Sequence, residues 1–245
     1  MTQGKVTTTA TLRPFGCELT TLSQADGSAI WKSGGTAVMA SVHGPAAPRQ
    51  ASLEETKAQV SLVVAGRGTE TNIASNQEEW EPLLRSILLR CIDVPQYPRS
   101  VVQIVCHVLS NDGSVLAACL HAAVAALMDA GIALQMLPTA VILRVVDKSD
   151  GRYHLSLDPD GEQEQDKDLA PHEPASALVF LVVAQSSSND DKLTTLAAHS
   201  WGGRAPLDIW STATGLAERA RPALTNFMKM ALQQKMQTRN RDDSS

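Results

Sequence analysis

The sequence predicts an α+β fold, with mixed β-sheets packed on central helices. Three observations carry that prediction. Hydrophobic periodicity alternates between strand and helix in the order strands, helix, strand, helix, strands, helix. The stretch Ser100–Ala130 reads as a strand, a tight turn and an apolar helix around which the rest is organised. No linker-like composition divides the chain, so its 245 residues read as one domain over 1–238, with a frayed tail at 239–245.

Size and composition set the outer bounds. Apolar residues make up 43% and aromatics only 4%, so Ala, Val and Leu must fill the core. A net charge of −5 argues against a polyanion-binding surface over the whole chain and leaves room for a local basic face. Cys17, Cys91, Cys106 and Cys119 show no Cys-x-x-Cys spacing and lie in apolar segments, which reads as reduced, buried thiols in an intracellular protein. The histidines are scattered without metal-ligand spacing, so no metal site is assigned. There is no bilayer-length apolar run and no signal-peptide pattern at the start.

The elements follow in order. Residues 6–12 read as a first strand ended by Arg13-Pro14, and 17–23 as extended. Residues 28–31 and 37–43 are short strands between Gly-containing turns, which together imply an antiparallel meander. Residues 58–66 are strand-like. A helix is expected over 77–93, where Trp80, Leu84, Ile87, Leu88 and Cys91 form a stripe and Pro82 fits only in the first turn.

Residues 100–110 are apolar on both faces, which predicts a central strand. Asn111-Asp112-Gly113-Ser114 is turn chemistry, and Asp112 or Ser114 is positioned to cap the Ala-rich helix that Gly131 ends. Residues 137–146 and 154–157 make a hairpin, and 177–185 with 193–199 make another. Between them lies an acidic loop over 158–168, dense enough in carboxylate for a divalent cation but expected to be solvated. A last helix runs over 206–238 with a kink at Pro222, and Lys229, Lys235, Arg239 and Arg241 suit its negative end.

A turn leading into a helix can offer backbone N–H groups to an anion. Here no Arg or Lys occurs between Arg99 and Arg144, so a ligand-free crossover competes with an anion site. Arg85, Arg90 and Arg99 form the one locally basic zone of the first half, either a solvated face or a contact for phosphates.

Taken together, several ordered pieces resemble the RNase PH family. They are Arg13-Pro14, Ala25-Asp26-Gly27-Ser28-Ala29, Gly35-Thr36-Ala37-Val38, Ser41-Val42-His43-Gly44-Pro45, Leu84-Arg85-Ser86-Ile87, Asn111-Asp112-Gly113-Ser114 and Met128-Asp129-Ala130-Gly131. Within the family, the run Leu157-Asp158-Pro159 with Gln163-Glu164 points to the eukaryotic exosome core subunits. The resemblance implies an RNase PH-like fold and a hexameric ring of such subunits, with the ribosomal RNA-processing protein 43 type as neighbour. It also implies RNA-binding cap subunits, RNA threaded to a separate nuclease, residence in nucleus (including nucleolus) and cytoplasm, and no cofactor.

Active members, on this resemblance, hold inorganic phosphate on a Gly-Gly-Thr-Arg-like turn before the central helix and attack an RNA 3′ end with it. The matching residues are Gly113, Ser114, Val115 and Leu116, so the hydroxyl and the guanidinium have become alkyl groups. A phosphate dianion there would lose its charge partner at a cost of several kcal/mol. The general-acid run corresponds to 158–164 and leaves Asp160, Glu162 and Glu164 as degenerate positions, with no catalytic residue assigned. Arg85 matches an arginine that active relatives use on RNA, and with Arg90 and Arg99 it is expected to meet RNA phosphates or a neighbouring subunit. The expected function is a non-catalytic ring subunit in 3′-to-5′ RNA processing and degradation, rRNA maturation included. The alternative is a Mg²⁺- or Mn²⁺-dependent hydrolytic nuclease, alone or as a homodimer, built on the same three carboxylates.

Overall fold

A computed structural model describes residues 6–47, 59–66, 71–148, 152–166, 176–186, 193–203 and 205–242. Parts of several expected elements lie outside these residues: position 58, the turn at 149–151, the end of the acidic loop at 167–168, the hairpin tip at 187–191 and the last three positions. The Arg239 and Arg241 side chains lie outside as well.

Two five-stranded sheets enclose the central helix. The first has the order β2 (Phe15–Leu19), β3 (Gly27–Ser33), β4 (Thr36–Ala46), β6 (Val101–Ser110), β5 (Gln59–Gly66). Its first four strands pair antiparallel, as the expected meander requires, and β5 joins β6 in parallel. The second sheet has the order β1 (Val6–Thr9), β8 (Arg152–Leu157), β7 (Met136–Lys148), β9 (Ala177–Ser186), β10 (Leu193–Gly202). Here β1 is parallel to β8 and the rest is antiparallel. The first strand therefore stops short of residue 12 and leaves the meander for the other sheet. Local periodicity says nothing about which sheet a strand joins.

The helix α2 (Val115–Asp129) packs on β3, β4, β6 and β7 and so touches both sheets. Its residues from Val115 to Leu127 are all buried, which explains the run of Ala: small side chains let strands approach from both sides. At its C-terminal end a Cβ on Gly27 would lie 2.5 Å from the Ala126 carbonyl oxygen, so β3 reaches the helix only through glycine. Asp129, 2% exposed at the side chain, accepts from the Ser28 N–H and from Lys235 of the last helix. Lys235 thus neutralises a buried carboxylate instead of facing only the end of its own helix.

Four expectations need correction. On β6, Val102, Ile104, Cys106 and Val108 are buried, whereas Leu109 on the other face is 41% exposed; the strand is interior in the sheet but covered on one side only. The helix α1 (Thr71–Cys91) starts six residues earlier than expected, so Pro82 sits well inside it. Pro82 is exposed, so water can satisfy the carbonyl that its missing N–H leaves free. The helix α4 (Leu207–Asp242) runs through Pro222, as expected, but continues past residue 238 into the expected tail. The described part of the acidic loop is not an open, fully solvated segment: Gly161–Glu164 forms one helical turn, α3, docked against the turn before α2, with Glu162 still exposed. None of the described helices is long and apolar enough to cross a membrane. Of the four cysteines expected to be buried, Cys91, Cys106 and Cys119 are, whereas Cys17 is only half-buried; desolvation pushes the thiols of Cys17, Cys91 and Cys106 each up to about 12, and they stay protonated.

Candidate functional site

The site is the junction between the turn at 111–114 and the loop that carries α3. Gly113 has φ +81°, and a Cβ there would lie 2.5 Å from the Pro159 carbonyl oxygen, so the two backbones touch only because this residue is glycine. Ser114 follows in the left-handed region at φ 54°. Neither expected cap forms. The Ser114 hydroxyl donates to the Pro159 carbonyl at 3.1 Å, and the Asp112 carboxylate accepts from the Gly35 N–H at 3.2 Å.

The anion at the start of α2 comes from the chain itself. Ser114 N–H donates to Glu164 Oε1 at 2.7 Å. That geometry is the capping of a helix start by a carboxylate, supplied from 50 residues away. Burial pushes the Glu164 carboxyl up to about 7, against the downward pull of that hydrogen bond and of Arg13.

Arg13 ties the pieces together. Its guanidinium donates to Asp158 Oδ1 at 3.0 Å and to the Gly113 carbonyl at 3.3 Å, and reaches Asp112 Oδ2 at 3.4 Å. Burial alone would raise the Asp158 carboxyl; the hydrogen bond and charge of Arg13 overcome it and hold the group below its usual range. Further along, Arg144, 5% exposed, pairs with Asp166 at 3.2 Å. Burial would raise the Asp166 carboxyl as well, and hydrogen bonds from Ser176 together with Arg144 hold it down.

Over this junction opens a cavity of about 300 Å³. Val115 and Leu116 line it with Glu164 and Asp166, and Trp80 of α1 and Trp201 of β10 lie on its wall. No Lys or Arg is among the described residues that line it.

The sequence-derived site residues separate into two groups. Ser114, Val115 and Leu116 do meet Glu164. Asp160 and Glu162 do not join it, because the Asp160 side chain accepts from Gln163 N–H as the cap of α3 and Glu162 is exposed. Among the described residues no group of three or more His, Cys, Asp or Glu gathers closely enough to hold a metal ion. Arg85, Arg90 and Arg99 are exposed, and none lines the cavity. Arg85 and Arg90 lie five positions apart, about 140° around α1, so they do not form one patch. Arg90 also donates to the Leu196 carbonyl at 3.4 Å.

Sequence reasoning missed the arginine and carboxylate partners Arg13, Asp112, Asp158, Arg144 and Asp166, and took Trp80 for a core residue only. The proximity of Arg13 to Asp158, 145 positions apart, has no local signal in the sequence.

Comparison with known proteins agrees with this architecture. The profile of the 3′ exoribonuclease family, domain 1, matches residues 11–133. The chain belongs to the RNase PH family of 3′ exoribonucleases. It is 30% identical over 227 residues to the exosome complex exonuclease RRP46 homolog of Oryza sativa subsp. japonica, covering 91% of this chain and 92% of that protein. It is 26% identical to the exosome complex component RRP46 homolog of Caenorhabditis elegans, covering 92% of this chain and 96% of that one. The crystal structure of rice Rrp46 superposes with a TM-score of 0.73 at 25% identity, covering 91% of this chain and 96% of that chain. An archaeal exosome core subunit shares the fold with a TM-score of 0.67 at 19% identity, over 89% of this chain and 87% of that one. The RNase PH-like α+β fold with two mixed sheets follows from both.

Proposed function

We propose that this chain is an RRP46-like subunit of the exosome core ring, catalytically inert, which supports 3′-to-5′ RNA processing and degradation by completing the ring and contacting RNA. The ring assignment rests on the RRP46 relatives over most of the chain. Those relatives are called exonuclease in one case and component in the other, so catalytic status turns on the chemistry of the site.

One observation carries the inert reading. The amide that opens α2 already donates to the Glu164 carboxylate, and the next two side chains are buried alkyl groups, Val115 at 3% and Leu116 at 1% exposed. An incoming phosphate would meet an occupied amide and alkyl groups where an active site needs a preorganised donor and a guanidinium. Removing one such donor costs an enzyme about 10²–10³ in rate. Here the amide is in addition already taken by the Glu164 carboxyl.

Arg85 and Arg99, exposed and away from the cavity, are assigned to RNA phosphates, which orient a strand without reading its sequence. Residence in nucleus, nucleolus and cytoplasm goes with the ring assignment, and imaging a tagged copy tests it. The neighbour is assigned as a subunit of the ribosomal RNA-processing protein 43 type, which pairwise co-expression would test. No observation favours the hydrolytic alternative, since Asp160 and Glu162 turn away from Glu164.

The test is release of nucleoside diphosphates from a 3′-hydroxyl RNA in inorganic phosphate, for the chain alone and within the ring. No release above background is expected. Phosphate-dependent release that Glu164→Gln abolishes overturns the inert reading, and Mn²⁺-dependent cleavage without phosphate overturns it in favour of hydrolysis.

A further inference from the structure

We propose that the cavity over the start of α2 receives a cation, the guanidinium of an arginine presented by a partner chain. This inference rests on the inert reading above and names what the idle cavity takes in place of phosphate.

Charge balance is the first argument. Around the junction one guanidinium, Arg13, serves Asp112, Asp158 and the vicinity of Glu164, and it is bonded to the first two. Arg144 is paired with Asp166 and is not bonded to Glu164. Glu164 is left as the carboxylate on the cavity wall without a cation bonded to it among the described residues. Its Oε1 is held by Ser114 N–H, which fixes the group in place. A carboxylate removed from water and short of a positive partner is a strong attractor for one.

The walls are the second argument. Trp80 and Trp201 come from separate elements, α1 and β10, and both line the cavity beside Glu164. An indole face attracts a cation, and the planar, weakly hydrated guanidinium also stacks on it while its N–H edge reaches a carboxylate. An ammonium is a compact, strongly hydrated charge and loses more on entering. A volume of about 300 Å³ suits one large side chain and excludes a folded segment.

The test follows the tryptophan indole N–H resonances of the full ¹⁵N-labelled chain, which has four such residues. Addition of N-acetyl-arginine methylamide is expected to shift Trp80 and Trp201 saturably while the core residue Trp31 stays still. The neutral isostere N-acetyl-citrulline methylamide is expected to bind about tenfold more weakly, the loss of one charge-assisted contact. Glu164→Gln should weaken the arginine probe by a similar factor, and Trp201→Leu provides a second variant if the first disturbs the other resonances. Equal binding of citrulline, or no saturable shift, overturns the proposal. Equal or tighter binding of N-acetyl-lysine methylamide overturns the choice of guanidinium. Inorganic phosphate is the control that separates the two readings. If it shifts the same resonances and competes with arginine, the inert reading falls as well; if neither ligand acts, only this inference falls.

Discussion

Replacing Glu164 by Gln should change how stability depends on pH, and the sign can be worked from the site. The folded carboxyl titrates near 7 and an unfolded glutamate near 4.5, because burial disfavours the charge. Between those values the folded chain binds more protons than the unfolded one, so Glu164 makes stability fall as pH rises through that window. At 1.36 kcal/mol per unit, the fall is about 3 kcal/mol. His121 works in the opposite direction. Buried in α2, with Nε2 accepting from Ala140 N–H at 3.0 Å, it titrates near 4 instead of 6.5. Its stability contribution is therefore lost as pH falls, over nearly the same window. The two slopes offset, and the native chain should show a nearly flat profile from pH about 4.5 to 6.5. Asp158 and Asp166 act below this range, since their folded values are depressed and their contribution disappears only as pH falls under the usual 3.8. Gln keeps an oxygen for Ser114 N–H and has no charge to bury. Urea unfolding of both proteins from pH about 4 to 8 should give a difference curve, variant minus native, that rises by about 3 kcal/mol. A flat or falling difference curve refutes the account of Glu164 as a carboxylate buried at the start of α2.

Other parts of the site make separate predictions. Arg13→Met leaves Asp158, 10% exposed, without its guanidinium and should cost about 3–5 kcal/mol in urea unfolding at neutral pH, with much of the loss recovered in Arg13→Met/Asp158→Asn. Gly113→Ala sets a Cβ 2.5 Å from Pro159 O at φ +81°, so the loop carrying α3 must move; a loss of about 2 kcal/mol or more is expected, read from the same assay. Arg85→Ala should change stability by less than about 0.5 kcal/mol, because the side chain is exposed, while lowering RNA affinity of the assembled ring and its dependence on salt.

The elements could be read locally because each has a periodicity of its own. Ser100–Ala130 announces a strand, a turn and a buried helix through side-chain type alone, and the structure has all three. The meander and the two hairpins of the second sheet were legible for the same reason, from alternation and turn residues. That alkyl residues, Val115 and Leu116, open the helix was also visible, since it concerns residue identity within one turn. Pro82 misled because proline's cost inside a helix is of local origin, and packing along the rest of α1 outweighs it.

What only the tertiary structure decided is which distant charges meet. Residue types and spacing determined that an apolar strand, a Gly-containing turn and an Ala-rich helix follow one another at 100–130, with Ser114, Val115 and Leu116 at the helix start. They did not determine that Glu164 fills the amide there, that Arg13 clamps Asp158 across 145 positions, or that Trp80 and Trp201 face one cavity. Backbone hydrogen bonding and hydrophobic period act between neighbours in the chain, whereas burial and Coulomb attraction act between neighbours in space. A loop of carboxylates looks solvated until a fold removes its water and gives some of those charges partners and leaves one without.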